Sequence, residues 1–196
     1  RCCQPVLIPQ YFGIWALHAW YTAWFLQFSS WLIARIHLPL VGHSALYAIA
    51  LGASIVLAGL MMVFSERHGY SRLMRYVAWS AFLLASVIAC WFGFSYGTLL
   101  CALVLFFSGF CYFESILPSH TSRLAESGLR GSVMGFFSSC QFFGIFSGSV
   151  LLHIFDALFG TMALPFLCVI LVSGWWSLHY MVDYDIGVAK LRGSFS

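Results

Sequence analysis

Formal charge is what this sequence has least of. Lysine and arginine number 9 and aspartate and glutamate 6, or 8% of the 196 residues, whereas soluble domains carry about a quarter. With 62% hydrophobic residues and a mean hydropathy of +0.92, too few polar side chains remain to cover a water-soluble fold. The shortage of charge therefore excludes a soluble domain and predicts a protein whose main partner is the lipid bilayer.

Catalytic and metal-binding motifs are also missing. The sequence contains no GxSxG, HExxH or GxxxxGK[ST] pattern and no pair of carboxylates within an apolar run. None of the 7 cysteines forms a CxxC pair, and His37 and His43 have no cysteine or acidic residue nearby. We therefore expect no enzyme, no cofactor and no metal site. The basic residues lie in short loops without an aromatic-lined groove, so we also expect no nucleic-acid partner.

Long uncharged runs separate the few charged clusters. A helix needs about 20 residues to cross the hydrocarbon core of a bilayer. The run 57–64 is apolar on every side, unlike the alternating strands of a membrane barrel. The pattern predicts an all-α membrane protein with six transmembrane helices, near residues 12–34, 44–64, 76–93, 97–117, 132–155 and 161–182.

Basic residues are distributed unevenly over the predicted loops. Six spans place both ends on one side, and eight of the 9 lysines and arginines then fall on that side, leaving Arg35 opposite. By the positive-inside rule this side is cytoplasmic. We therefore expect a multi-pass membrane protein with both ends of the chain in the cytoplasm and no cleaved signal peptide.

The region 113–144 has the richest set of motifs. Its members are Glu114, Leu117-Pro118-Ser119, Ser122-Arg123-Leu124-Ala125, the turn Gly128-Leu129-Arg130-Gly131, Met134-Gly135, Ser139 and Gln141-Phe142. Together they resemble the end of helix ten, the cytoplasmic loop and the start of helix eleven in major facilitator superfamily permeases, particularly the bacterial YajR-like efflux type. The stretch 65–72, with Glu66, Arg67 and Arg72, is similar to a degenerate copy of the superfamily's acidic-Arg-x-Gly-Arg loop.

This resemblance implies a fold and a function. The chain would be the C-terminal half of a twelve-helix permease, built from two inverted three-helix repeats at 12–93 and 97–182. It would transport a small solute across the bacterial inner membrane by alternating access, as proton-coupled efflux. Its expected partners are the substrate, protons and an N-terminal six-helix half that these residues do not contain. The alternative is a degenerate half-permease that acts as a non-transporting scaffold or assembly partner.

Glu114 is the main candidate for gating or coupling, because ionisable groups within a membrane are costly. We expect Pro118 to end the helix, which places Glu114 one turn, about 5 Å, from the cytoplasmic end. The resemblance implies a cytoplasmic latch in which Glu114 pairs with Arg67 or Arg72, in the loop that also holds Glu66. A proton carrier and a carboxylate that merely reaches the membrane interface are the open alternatives.

Two further groups of residues are candidates by position. The resemblance implies that one group of polar and aromatic residues lines a central cavity or contacts substrate. Hydrogen bonding or packing between helices is an open alternative for these residues. This group is His18, Tyr21, Thr22, Trp24, Gln27 and Gln141. Small residues of the fifth span predict close helix packing. These are Gly131, Gly135, Gly144 and Gly148.

Overall fold

The computed structural model describes residues 4–67, 71–91 and 95–193, with side-chain surroundings for all of these except 71, 161 and 179–193. Its helices are α1 (Ile8–Ala34), α2 (Leu40–Arg67), α3 (Ser71–Trp91), α4 (Tyr96–Leu124), α5 (Arg130–Phe159) and α6 (Ala163–Gly193), with 3-10 turns at Pro5–Leu7 and Gly160–Met162. The prediction of an all-α protein is confirmed for the described residues, which form six α-helices. Residues 68–70 of the loop motif, and 92–93 of the third predicted helix, lie outside the described residues.

Four helices in this part of the chain are long and apolar enough to cross a membrane. They are α2, α3 from Arg72 onwards, α4 and α5. The part of α6 with described side chains, Ala163–Leu178, is apolar but shorter. α1 has sufficient length at 27 residues, but its tryptophan, tyrosine, histidine and glutamine residues lower its hydropathy and it does not join this group. The chain thus has the helices of a membrane protein.

α1 tolerates these residues because other helices surround it. It contacts α2, α4, α5 and α6, and its Trp20, Trp24 and Phe28 are buried. Side chains on such a helix meet protein atoms instead of lipid, so tryptophan and histidine there escape the cost of lipid exposure. The lack of charged residues in α1 predicts a membrane span, but its surroundings are set by the helices that pack around it.

α4 continues past Pro118, contrary to the prediction that this proline ends the helix. The helix runs on to Leu124, with the proline in its interior. Proline removes one backbone hydrogen bond, and neighbouring contacts support the turn that follows. Thr121 Oγ1 donates to the carbonyl oxygen of Leu117 at 2.8 Å, and both residues are buried. Glu114 therefore lies nearly three turns, about 15 Å, from the end of its helix.

Two glycines of α5 lie directly against α1. A Cβ atom at Gly148 would lie 2.8 Å from Ala19 Cα, so no larger residue fits without movement, and Gly144 is similarly close to α1. At Gly131 and Gly135 a Cβ meets no atom within 4 Å in the described part of the chain, so close packing at these two glycines stays a prediction. The separation of Gly135 and Gly144 corresponds to about 2.5 turns, which places them on opposite faces of α5.

The helices contact one another in a crossed pattern. α1 packs most extensively on α5, and α2 packs on α4. There the Ser54 hydroxyl lies 3.0 Å from the carbonyl oxygen of Val104 and 2.7 Å from that of Ala50 in its own helix. α3 also packs on α4, α6 packs on α1, and α3 contacts α6. Thus α1, the first helix of the set α1–α3, packs against α5 and α6 of the set α4–α6. In the same way α4, the first helix of its own set, packs against α2 and α3.

Candidate polar site between helices α1, α4 and α5

Three polar side chains meet inside the bundle. His18 of α1, Glu114 of α4 and Gln141 of α5 are brought together where these helices pack on one another. His18 is only 5% exposed. Gly144 lies one turn beyond Gln141, and a Cβ there would be 3.0 Å from His18 Cβ. The absence of a side chain at Gly144 therefore lets the amide of Gln141 reach the imidazole ring.

The hydrogen bonds define the protonation of His18. Its Nδ1 lies 3.1 Å from the carbonyl oxygen of Ile14, which can only accept, so Nδ1 carries a hydrogen. Gln141 Nε2 lies 2.9 Å from His18 Nε2. With the amide in this orientation its nitrogen only donates, so the arrangement corresponds to a neutral ring with His18 Nε2 as the acceptor.

Gln141 also connects this ring to the carboxylate. Its Nε2 donates to Glu114 Oε1 at 3.3 Å, so both amide hydrogens are used. The other oxygen, Glu114 Oε2, lies 3.7 Å from His18 Nε2 and is buried without a hydrogen-bond partner among the described residues. A hydrogen bond between Glu114 Oε2 and His18 Nε2 requires a proton on one of these two atoms. The proton can be on Oε2, or it can be on Nε2 once the Gln141 amide has turned away. The arrangement can thus hold one proton between the two groups.

Aromatic rings enclose the histidine while the carboxylate keeps access to the surface. The Phe110 ring lies 5.6 Å from that of His18, and the Tyr21 ring lies 4.9 Å from that of Phe110. The Glu114 side chain is 36% exposed. The Glu114 side chain therefore lies at the border between the packed interior and an open face of the bundle, with its Oε2 atom on the buried side.

The arginines expected as latch partners lie elsewhere. Arg67 ends α2, and Arg72 lies in the first turn of α3, with both side chains exposed. Tyr112 marks the side of α4 that faces α2, because its hydroxyl donates to Ser65 Oγ at 3.3 Å. Glu114 follows two residues later and points about 200° away around the helix. Among the described residues Glu114 contacts no arginine, so the expected pair is not formed.

The other candidates on α1 divide between the core and partly open positions. Tyr21, Thr22 and Gln27 are half-buried. Trp24 is 1% exposed, and its ring stacks on Phe106 at 4.8 Å. Trp24 is thus a core residue and does not line an open cavity.

The sequence singles out the three polar residues one at a time and does not bring them together. His18 and Gln141 are 123 positions apart, and Glu114 and Gln141 are 27 apart. No local pattern relates residues at such separations. The same holds for the hydrogen bond from Trp15 Nε1 to Ser147 Oγ at 2.9 Å, which joins α1 and α5 close to the site and which the sequence does not predict.

A short segment of the chain is similar in sequence to part of a known protein. No protein-family model matches the chain. A segment of 50 residues is 44% identical to an uncharacterized transporter of Buchnera aphidicola subsp. Acyrthosiphon pisum. The match covers 26% of this chain and spans only 13% of that protein's length. With the apolar helices, it indicates a transporter-like membrane protein.

Proposed function

We propose that this chain is the C-terminal half of a major facilitator permease that moves a small solute by alternating access, as proton-coupled efflux. The observation that carries the proposal is the Glu114–Gln141–His18 cluster, which puts proton-binding groups inside a bundle of apolar helices. Ionisable groups at such positions are expensive and mark ion or substrate pathways. The partial similarity to a bacterial transporter and the YajR-like motifs of residues 113–144 support the same function.

The crossed helix contacts support two inverted repeats. When α1 is exchanged with α4, α2 with α5 and α3 with α6, the α1–α5 contact becomes α4–α2 and the α1–α6 contact becomes α4–α3. The α3–α6 contact becomes itself. Because each exchanged helix is the third span after its counterpart, the two run in opposite directions through the membrane, as inverted-topology repeats require.

The proposed setting is the bacterial inner membrane, with both ends of the chain in the cytoplasm. The basic residues support this orientation, since six spans would leave only Arg35 on the opposite side. Alternating access needs a second six-helix half, so we propose one as a partner, beside lipid, protons and the solute. Transport of this kind is not enzymatic and involves no nucleic acid.

Within this function we assign Glu114 to proton coupling instead of the latch. Its contacts favour this role, because Gln141 and His18 hold the carboxylate on the side of α4 away from Arg67 and Arg72. Uptake of a proton by Glu114 and His18 changes the charge at the open face. A site of this kind can bind protons in one conformation and release them in the other.

The test is transport by the full-length protein in proteoliposomes, with a panel of labelled drugs and sugars and an imposed proton gradient. We expect at least one compound to move uphill against its gradient when protons flow the other way. Glu114→Gln should abolish this uphill movement and preserve exchange of labelled for unlabelled compound, since glutamine mimics the protonated carboxylate. Glu126→Gln, on the exposed connection between α4 and α5, is the matched control. Glu126 Oε1 accepts a hydrogen bond from Gln4 Nε2, and a glutamine oxygen can accept the same bond, so this variant should behave as wild type.

Two results would contradict the proposal in different ways. Uphill transport unaffected by Glu114→Gln would remove the coupling role and leave the transport function standing. A folded protein that moves no compound of the panel, with or without a gradient, would favour the non-transporting scaffold.

A further inference from the structure

Residues 4–7 lead into α1 and lie against the connection between α4 and α5. Pro5 begins a 3-10 turn, in which the Leu7 amide donates to the Gln4 carbonyl oxygen at 2.9 Å. This turn contacts α4, and Leu7 is only 1% exposed. The side chain of Gln4 then reaches across, and its Nε2 donates to Glu126 Oε1. We call residues 4–7 the entry strap, because they tie the start of α1 to the end of α4.

Glu126 has charged neighbours along the chain but bonds to an uncharged side chain. Arg123 precedes it by three residues and Arg130 follows it by four, yet the described residues include no ion pair between Glu126 and either arginine. The residue directly before Glu126, Ala125, is buried, as is Leu7 of the entry strap. The bond between Gln4 and Glu126 therefore belongs to a junction in which neighbouring apolar side chains are packed.

Two contacts hold α1 and α4 together, and the polar site lies between their levels. Towards the outer ends, the rings of Trp24 and Phe106 stack with 4.8 Å between their centroids. Trp24 is about 9 Å along α1 from His18, on the outer side. Towards the inner ends, the start of α1 and the end of α4 are each about 15 Å along their helices from His18 and Glu114. Direct contact of α1 with α4 is less extensive than with α5, so the entry strap adds to a thin interface.

The last part of α4 is also easier to bend than the rest. Pro118 lies in the interior of this helix and has no backbone N–H, so the Glu114 carbonyl oxygen does not receive the usual helical hydrogen bond. Glu126 follows this weakened turn. Once the bond from Gln4 to Glu126 opens, the inner ends of α1 and α4 can therefore separate while the outer aromatic stack stays in place.

We propose that the entry strap controls access from the cytoplasm to the polar site: when closed it keeps water from Glu114 and His18, and when open it admits protons between α1 and α4. Glu114 Oε2 is buried, so a path has to open before water reaches it. This inference rests on the proposed function, in which the carboxylate exchanges a proton with the cytoplasm. In that permease the preceding six-helix half joins the chain at the entry strap, so movement of that half acts on it directly.

The thiol of Cys111 can report this access. Cys111 precedes Glu114 by about one turn of α4, is half-buried and is close enough to Glu114 to interact with it electrostatically. The experiment uses the full-length protein with Cys111 as its only cysteine and measures the rate of labelling by a membrane-impermeant maleimide. Inverted vesicles present the cytoplasmic side to the reagent, and right-side-out vesicles present the other side.

Variants that break the entry strap should speed labelling from the cytoplasmic side only. Gln4→Ala and Glu126→Ala should each raise that rate about fivefold, as the loss of one hydrogen bond predicts. The double variant should label no faster than either single variant, because both changes remove the same contact. Labelling from the outer side should stay as in the wild type.

Matched controls separate the entry strap from a general effect of surface charge. Glu126→Gln keeps an oxygen that accepts from Gln4, so its labelling rate should equal that of the wild type. Arg130→Gln removes an exposed charge from the start of α5, outside the contact, and should also have no effect. Thermal unfolding of each variant verifies that it is folded.

Two results would overturn the proposal. Unchanged labelling in both alanine variants would show that the entry strap does not restrict access, and equal increases from both sides would show a general loosening of the bundle. The labelling requires no transport. A full-length protein that moves no solute would therefore refute the transport function and leave the result for the entry strap standing.

Discussion

Replacing Gly148 by alanine should force apart the two helices that carry most of the polar site. The added Cβ would lie 2.8 Å from Ala19 Cα and 2.9 Å from the Ala19 carbonyl carbon. Carbon atoms that are not bonded pack at about 3.5–4.0 Å, so α5 has to move away from α1 by about 1 Å. The atoms in the way belong to the backbone of α1 and cannot turn aside as a flexible side chain does.

The cost follows from this displacement. Overpacking a well-packed contact destabilises a protein by about 1–3 kcal/mol. The same shift lengthens the bonds that span α1 and α5, from Trp15 to Ser147 and from Gln141 to His18, which are 2.9 Å each in the structure. We therefore expect Gly148→Ala to lie towards the upper end of that range and to disturb the polar site as well.

The measurement is reversible unfolding in mixed micelles with increasing SDS, followed by tryptophan fluorescence. Gly135→Ala is the matched control on the same helix, because its Cβ meets no described atom within 4 Å. Alanine favours a helix over glycine, so this control should be neutral or stabilising by up to about 1 kcal/mol. If both variants change stability equally, the close contact of α5 with α1 at Gly148 is refuted.

Three more outcomes follow from the helix contacts. Gln141→Leu removes the donor shared by the histidine and the carboxylate, so gradient-driven transport should fall in the same proteoliposome assay, and unchanged coupling would contradict the assigned role. The buried Ser54 hydroxyl lies between the carbonyl oxygens of Ala50 in its own helix, at 2.7 Å, and Val104 of α4, at 3.0 Å, so Ser54→Ala should cost about 0.5–1.5 kcal/mol in the micelle titration. Ser80→Ala should cost less, because the Ser80 hydroxyl is exposed and bonds only within its own helix. On a cysteine-free background, single cysteines at Ser44 and Glu126 should be labelled from opposite sides of the membrane, and labelling from one side would refute the proposed topology.

The sequence by itself determined that this protein has the helices of a membrane protein, and how many helices its described residues form. Both follow from short-range properties, because an uncharged run in lipid must satisfy its backbone groups within the run and the length of the run sets the length of the helix. The sequence also identified His18, Glu114 and Gln141 as polar residues that needed an explanation. Predictions from the sequence fail where the contacts of a residue depend on helices that are distant along the chain.

Only the tertiary structure decided how helix faces are paired. A proline often ends a helix, but α4 continues past Pro118 to Leu124, so Glu114 lies further from the end of its helix than the sequence indicates. The four glycines of α5 look alike in sequence, yet only Gly144 and Gly148 face α1. Glu114 meets Gln141 and His18 for the same reason, since the rotation of each helix about its axis is set by packing against partners that are distant along the chain.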